Sequence, residues 1–120
     1  MNDPHWNPYA PELLPEAIRR YLEAHQEGRR ADVVTGVFAE HATVTDEGRE
    51  HVGADAIRGW LAHTASAYTY TLQYTSQSQS GPASWTVRAH LEGDFPGGEV
   101  DLRFMFVVEH ELITALTIEP

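Results

Sequence analysis

The spacing of apolar residues changes at residue 68, and that change constrains the fold of this chain more than any other feature. From residue 68 onward apolar and polar residues alternate, which is the spacing of a strand with one buried face. The first apolar set is Tyr68, Tyr70, Leu72 and Tyr74. Three later segments, ASWTVRAHLEG, EVDLRFMFVVEH and ELITALTIE, alternate in the same way. The C-terminal half is therefore predicted to form long antiparallel strands.

Before residue 68 the apolar residues recur at helical spacing. A first stripe begins beside Pro15 and ends at Gly28, and another follows Gly53. Between them, Asp32 precedes a shorter pattern that ends at Phe38, which we interpret as a two-turn helix. The three sets are Leu14, Ile18, Tyr21, Leu22 and His25, then Val33, Val34, Val37 and Phe38, then Ile57, Trp60, Leu61 and Thr64.

A short hairpin separates the second and third predicted helices. The segment ATVTD alternates and is rich in β-branched residues, and REHV follows it after a turn at Glu47-Gly48. The order helix, helix, hairpin, helix and then strands predicts an α+β domain. Its three N-terminal helices would pack on one face of a curved antiparallel sheet.

The first thirteen residues differ in composition from the rest of the chain. Residues 1–13 carry Pro4, Pro8 and Pro11 and two large aromatic residues, which predicts an extended arm. One position for such an arm is across a neighbouring subunit. The remaining residues, 14–120, are too few for two domains of ordinary size and are predicted to form one.

Composition excludes several classes of function. The chain has no cysteine, so a disulfide framework and a thiolate metal site are impossible. Its formal net charge of −10 repels phosphate backbones and anionic lipid surfaces, so neither nucleic acid nor a membrane is an expected partner. The N-terminus lacks the basic start and apolar run of a signal peptide. A cytoplasmic location is therefore expected.

The stretch AIRRYLEAHQEGRRADVVTGVFAEHATVTDEGREHVGADAIRGWL resembles the nuclear transport factor 2-like superfamily, in its SnoaL-like and ketosteroid-isomerase-like branch. The likeness extends over roughly residues 14 to 119. It implies a sheet curved into a cone around the helices, with an apolar pocket at the open end and a homodimer formed through the sheet. The superfamily includes isomerases, polyketide cyclases, dehydratases and binding proteins on one scaffold, so the resemblance alone leaves the activity open.

Three positions match functional residues of the isomerase branch. The catalytic carboxylate corresponds to Asp46 of ATVTD, the oxyanion-hole tyrosine to Tyr21, and the protonated aspartic acid to Asp101 of EVDLRF. Ketosteroid isomerase is the standard example of an aspartic acid kept neutral so that it can donate a hydrogen bond. Arg103 shares a strand face with Asp101, and a nearby cation favours the ionised carboxylate, which is a departure from that pattern.

Each of these residues also has a structural interpretation. Asp46 precedes a glycine-containing turn and could cap its own backbone. Tyr21 lies on the apolar stripe of a helix and could be a core residue. Asp101 and Arg103 could form either a polar clamp for a ligand carbonyl or a surface pair.

Aromatic and histidine side chains complete the candidate site. Phe38, Trp60 and Trp85 are expected to line the pocket, and His63 could supply a pH-sensitive group at its rim. The seven histidines show no metal-ligand spacing, so no metal is expected.

Two functional hypotheses follow. The first is a pocket protein of the isomerase or cyclase type, in which Asp46 transfers a proton and Tyr21 and Asp101 polarise the carbonyl of a small apolar molecule. Such chemistry requires no cofactor, because a positioned base and an oxyanion donor are sufficient. The second is a non-catalytic module for ligand binding or dimerisation on the same fold.

Overall fold

The alternating half of the chain forms four consecutive antiparallel strands of one seven-stranded sheet. The computed structural model describes residues 6–27, 36–67 and 69–120. Their strands are β1 Asn7–Pro8, β2 Phe38–Asp46, β3 Arg49–Val52, β4 Tyr70–Gln79, β5 Ser84–Gly93, β6 Glu99–Glu109 and β7 Leu112–Glu119. The helices are α1 Glu16–Glu27 and α2 Ala54–Ala67, with a short 3₁₀ turn at Pro11–Leu13. The strand order is β1-β4-β5-β6-β7-β2-β3.

Strand register places the alternating apolar residues on a single face. Val87 of β5 pairs with Phe104 of β6, which in turn pairs with Ile118 of β7, and all three side chains are buried. Their chain neighbours project from the opposite face, because successive side chains of a strand alternate. The predicted α+β class and the strand meander are therefore confirmed.

The sequence predicted an antiparallel sheet, but one pair of strands is parallel. Strand β2 pairs in parallel with β7, with Val44 opposite Leu116 and Asp46 opposite Ile118. The hairpin partner β3 then forms the edge of the sheet beyond β2. Alternation along a strand specifies its two faces but carries no information about the direction of its neighbour, so the sequence pattern could not reveal this pairing.

The described residues contain two α-helices, where the apolar spacing predicted three. The first and third predicted helices are found as α1 and α2. Residues 32–35 of the second lie outside the described residues, and its last member, Phe38, is the first residue of β2. Phe38 pairs there with Ile113 of β7. A short apolar run can satisfy helical and strand spacing equally, and strand pairing decides the conformation of Phe38.

The main core lies between α1 and the inner face of the sheet. Ile18, Tyr21 and Leu22 of α1 are completely buried, and the Tyr21 ring lies 5.8 Å from that of Phe106. Each such side chain contributes roughly 1.5–3 kcal/mol through removal of its surface from water. This packing fixes α1 over β6. Neither α1 nor α2 is long and apolar enough to cross a membrane, and the rest of the described chain has no helix that is.

The described part of the N-terminal arm lies on the sheet of its own chain. Asn7 pairs with Gln77 of β4, and the buried Gln77 side chain bonds to both backbone groups of Ala10, at 2.8 and 3.1 Å. The Tyr9 ring packs 5.1 Å from Tyr74. Asn7 and Pro8 therefore add a short strand at the edge of the sheet, beside β4 of their own chain.

Candidate functional site

A cavity of about 1240 Å³ opens between α2, the β2–β3 turn and the inner face of the sheet. Its walls include residues of β2, β4, β5, β6 and β7. Three strands separate β2 from β4, which in a flat sheet would place them about 19 Å apart at the usual strand spacing. The curl of the sheet therefore brings residues from both ends of the strand order to one cavity.

Asp46 lies on the cavity wall at the C-terminal end of β2. Its Oδ2 accepts a hydrogen bond from Nε1 of Trp60 at 3.0 Å. Trp60 projects from the apolar stripe of α2, a helix that begins immediately after Gly53, where φ is +89°. This positive φ lets the chain turn sharply from β3 into α2. The contact holds the carboxylate in one orientation beside an aromatic wall.

The turn after Asp46 is formed by the next two residues. Glu47 and Gly48 have φ values of 54° and 75°, the positive values of a two-residue type I′ hairpin loop. Asp46 itself pairs across the hairpin with Arg49. The predicted turn at Glu47-Gly48 is thus confirmed, and the Asp46 carboxylate contacts Trp60 of α2.

Tyr21 lies in the core and is not among the residues that line the cavity. Its ring is completely buried in an aromatic cluster with Phe38, Phe104 and Phe106, at centroid distances of 5.7, 6.5 and 5.8 Å. This placement matches the core interpretation of Tyr21. The structure does not bring its hydroxyl and the Asp46 carboxylate to a common wall.

Asp101 and Arg103 lie on the outer face of β6, because Leu102 and Phe104 between and beside them face inward. The Asp101 side chain is 83% exposed, and its Oδ1 lies 2.7 Å from Nδ1 of His90. Arg103 instead pairs with Glu119, at 2.7 Å. The expected Asp101–Arg103 pair is thus replaced by two other pairs, and neither residue lines the cavity that contains Asp46.

The hydrogen bond between His90 Nδ1 and the Asp101 carboxylate, which accepts it, raises the pKa of His90 above its ordinary value, although desolvation of the ring opposes the shift. Glu92 and Glu99 add smaller electrostatic contributions that also raise this pKa. Asp101 is therefore the hydrogen-bond partner of His90 on the outer face. An acid that donates a hydrogen bond inside the cavity would need the opposite setting.

The remaining predicted ligand-binding residues divide between the cavity and the core. Trp60 and His63 of α2 both line the cavity. Phe38 is buried against Tyr21, and Trp85 lies at the other end of the inner face, opposite Phe106. Neither Phe38 nor Trp85 is among the lining residues.

Two polar residues on the cavity wall were not predicted from the sequence as site residues. Tyr70, the first residue of β4, places its hydroxyl oxygen 3.1 Å from Nε2 of His25 on α1. Both side chains line the cavity, and His25 is only 6% exposed. The sequence could have indicated His25, because it follows Tyr21 by one helical turn on the buried stripe. A histidine among apolar residues at such a position needs a polar partner.

One group of three potential metal ligands occurs among the described residues, and it lies outside the cavity. His90, Glu92 and Glu99 place their ligand atoms within 4.8 Å of one another on the sheet surface. Glu92 and Glu99 are exposed.

Comparison with known proteins shows where this architecture belongs. The model of the SnoaL-like domain matches residues 18–114. No curated protein matches. Among solved structures, a proposed polyketide cyclase from Sinorhizobium meliloti is 30% identical; the match covers 92% of this chain and 100% of that chain, with a TM-score of 0.83.

More distant structures share the fold. A protein from Catenulispora acidiphila with a ketosteroid isomerase-like fold, solved in complex with trimethylamine, is 20% identical over 88% of this chain and 85% of that one, with a TM-score of 0.70. SalBIII, an epoxide hydrolase/cyclase-like enzyme of pyran ring formation in salinomycin, is 19% identical over 86% of both chains, also with a TM-score of 0.70. With the family model matching most of its length, this chain belongs to the SnoaL-like family of the nuclear transport factor 2-like superfamily.

Proposed function

We propose that this protein binds a small, mostly apolar molecule in the cavity and catalyses cofactor-independent acid/base chemistry beside a carbonyl group, as an isomerase or cyclase. The observation that carries the proposal is the Asp46 carboxylate on the cavity wall, held by Trp60 Nε1 at 3.0 Å. The similar structure from S. meliloti is described as a polyketide cyclase, which supports the same type of chemistry.

In this proposal Asp46 accepts a proton from a carbon next to the substrate carbonyl. The bond from Trp60 engages Oδ2, so the carboxylate is oriented and Oδ1 is left to approach the substrate. A positioned base of this kind accelerates proton transfer about 10²- to 10⁴-fold. The apolar wall formed by Trp60, Leu91, Phe95 and Val100 would hold the hydrocarbon part of the substrate.

The direct test replaces Asp46 by asparagine, which keeps the shape of the side chain and removes the base. We expect exchange of the α protons of 2-tetralone in D₂O, followed by NMR, to slow by about 10²-fold or more in Asp46→Asn. The control is Asp55→Asn, because Asp55 is an exposed acid that pairs with Arg58 on α2. Equal exchange rates for the unaltered protein and the folded Asp46→Asn variant would refute the catalytic role of Asp46.

One observation favours the second candidate, a non-catalytic binding module. The three acid and hydroxyl groups of the isomerase pattern are not assembled, since Tyr21 is in the core and Asp101 is on the outer face. A binding module predicts that naphthalene binds the cavity equally well before and after Asp46→Asn. It also predicts that neither form exchanges the protons of 2-tetralone above the rate in buffer.

We also propose a homodimer formed through the outer face of the sheet. The tyrosines of β4 do not contribute to this face, because Tyr70 lines the cavity and Tyr74 is buried, with its hydroxyl donating to the Leu22 carbonyl oxygen. Tyr68 lies outside the described residues. Two uncharged cross-strand rows support the outer face instead: Thr86, Met105 and Thr117, and Ser84, Val107 and Ala115. Sedimentation of the purified chain as a monomer would contradict the dimer.

A further inference from the structure

Two polar pairs lie on the walls of the cavity. Asp46 and Trp60 form one of them, where β2 meets α2. His25 and Tyr70 form the other, where α1 meets the first residue of β4. The aromatic and aliphatic residues Phe95, Val100, Leu102 and Phe104 also line the cavity. A ligand that fills this space meets hydrogen-bonding groups in two separate regions.

We propose that the Tyr70 hydroxyl, supported by His25, binds the carbonyl oxygen of the ligand. The inference rests on the proposed function, because it names the group that stabilises charge on the oxygen while Asp46 removes the neighbouring proton. Tyr70 is the residue that contacts the ligand, and His25 is a positioning residue that acts through it. The ligand class is an apolar ketone or aldehyde.

The chemistry follows from the donors that the pair offers. A phenol oxygen has one proton to donate and lone pairs that can accept a hydrogen bond. In the His25 tautomer that carries its proton on Nε2, the imidazole donates to Tyr70 Oη across the 3.1 Å contact. The Tyr70 proton then donates to the ligand oxygen. A donor that is itself hydrogen-bonded in this way is polarised and binds a negatively charged oxygen more strongly.

The proton balance involves Asp46 and the ligand only. Asp46 takes the α proton, the electron pair of the broken C–H bond forms the C=C bond of the enolate, and the carbonyl π electrons move to the oxygen. Tyr70 stabilises that oxygen through a hydrogen bond and keeps its own proton. Return of the proton from Asp46 to a different carbon of a conjugated enolate restores the carboxylate and completes an isomerisation. Delivery of a solvent-derived deuteron in place of that proton completes an exchange.

Burial makes the pair suited to this task. His25 is 6% exposed and packs against Phe104, with the ring centroids 5.7 Å apart. Its ring also lies 5.8 Å from that of Tyr21 on the preceding helical turn. These aromatic neighbours hold the imidazole in place, and a hydrogen bond to developing charge is stronger where water is excluded.

The test separates recognition of the oxygen from binding of the hydrocarbon. The probes are 2-naphthol, a planar mimic of the enol of 2-tetralone, and naphthalene, which has the same ring system without the oxygen. Fluorescence titration gives a Kd for each. We expect the unaltered protein to prefer 2-naphthol, and Tyr70→Phe to reduce the ratio of the two Kd values about tenfold, because one hydrogen bond to the oxygen is lost.

A matched substitution checks that the effect belongs to this tyrosine. Tyr9→Phe removes a hydroxyl from a half-buried ring that packs on Tyr74 and does not line the cavity, so the ratio should stay unchanged. Naphthalene should bind Tyr70→Phe as it binds the unaltered protein, which shows that the cavity is intact. An unchanged ratio in Tyr70→Phe, or no preference for 2-naphthol in the unaltered protein, overturns the proposal.

Two substitutions of His25 test its positioning role. His25→Gln retains a side-chain N–H that can donate to Tyr70, whereas His25→Leu has none. We expect His25→Leu to lower the preference for 2-naphthol several-fold and His25→Gln to keep most of it. Equal preferences in the two variants would show that His25 has only a packing role.

Failure of this inference can be told apart from failure of the proposed function. The role of Asp46 is measured as proton exchange of 2-tetralone in Asp46→Asn, and the role of Tyr70 as a ratio of equilibrium binding constants. If Asp46→Asn stops exchange while Tyr70→Phe leaves the binding ratio unchanged, the catalytic function stands and another group binds the oxygen. If the binding ratio falls but Asp46→Asn exchanges normally, Tyr70 recognises the oxygen of a ligand that Asp46 does not deprotonate.

Discussion

Single hydrogen bonds orient the polar groups of the cavity. Asp46 and Trp60 are 14 residues apart, yet the indole N–H lies 3.0 Å from the carboxylate because β2 and α2 pack together. Tyr70 and His25 are 45 residues apart and meet in the same way between β4 and α1. Each contact joins a helix to the sheet, so small changes in either side chain should alter orientation before they alter the fold.

We predict that Trp60→Phe slows proton exchange while the protein remains folded. Phenylalanine keeps most of the aromatic volume but cannot donate to Asp46, and loss of a hydrogen bond to a charged group is worth about 1.5–3 kcal/mol. The exchange rate of 2-tetralone, measured by NMR, should fall at least about tenfold. Trp85→Phe is the control, because Trp85 does not line the cavity. An equal rate for Trp60→Phe and the unaltered protein would show that the indole N–H does not orient Asp46.

The His90–Asp101 pair on the outer face should make stability depend on pH. Folding raises the pKa of His90, chiefly through the hydrogen bond to Asp101, so the folded state favours protonated His90. The stabilisation is fully present below the ordinary histidine pKa of 6.5 and is lost as pH rises through the higher folded value.

We therefore predict that Asp101→Asn lowers the melting temperature more at pH 5.5 than at pH 8.5. An NMR titration should also show a lower pKa for His90 in this variant. Asp55→Asn serves as a comparison, because it breaks an exposed ion pair with Arg58 that contains no histidine, and its effect should be the same at the two pH values. A pKa of His90 that is the same with and without Asp101 would contradict the assignment.

At the scale of elements, the pairing of the start of β4 with the end of β5 positions one of the cavity residues. Gly93 ends β5 and pairs with Tyr70, the first residue of β4. A Cβ atom at position 93 would overlap the Thr69 carbonyl oxygen and the backbone of Tyr70. Glycine is therefore needed here for the close approach of two strands, and the position of Tyr70 depends on it.

Two glycine-to-alanine substitutions should have opposite effects on stability. Gly93→Ala forces the backbone of Tyr70 to move and should cost about 1–3 kcal/mol. Gly59 lies within α2 with open space at its Cβ position, so Gly59→Ala should stabilise the helix by up to about 1 kcal/mol. Both can be measured as the free energy of unfolding in urea. A neutral Gly93→Ala would show that the strand ends can separate without cost.

At the scale of the whole molecule, one sheet separates two surfaces of different character. Its inner face carries the core and the cavity. Its outer face carries the hydrogen-bonded pairs His90–Asp101 and Arg103–Glu119. Beside these pairs lie the two uncharged rows that contain Met105 and Val107. An uncharged strip bordered on one side by polar pairs resembles part of the apolar core and polar rim of a protein interface.

If that strip forms the homodimer, Met105→Glu should yield a monomer in analytical ultracentrifugation, because a charge would be buried without a partner. Glu92→Gln changes an exposed residue near the opposite end of β5 and should leave the association unchanged. The melting temperature of Met105→Glu, compared at several protein concentrations, distinguishes dissociation from misfolding. If the unaltered protein sediments as a dimer and Met105→Glu does the same, the interface lies elsewhere.

The sequence by itself determined the elements of this protein. Apolar spacing predicted α1, α2 and the meander, and Glu47-Gly48 predicted the hairpin turn, because periodic burial and positive backbone angles are local properties of the chain. For Asp101 the residues alone left a ligand clamp and a surface pair open, and the family resemblance implied a protonated acid in the pocket. The sequence further named Asp46, Trp60 and His63, which all lie on the cavity wall.

Only the tertiary structure decided which of these residues meet. The parallel pairing of β2 with β7 and the curl of the sheet bring Asp46 to the same cavity as His25 and Tyr70, and neither feature leaves a periodic signal in the sequence. The same packing buries Tyr21 in the core and turns Asp101 to the outer face. A cavity is enclosed by contacts between distant segments, so its polar residues can be identified only when those segments are in place.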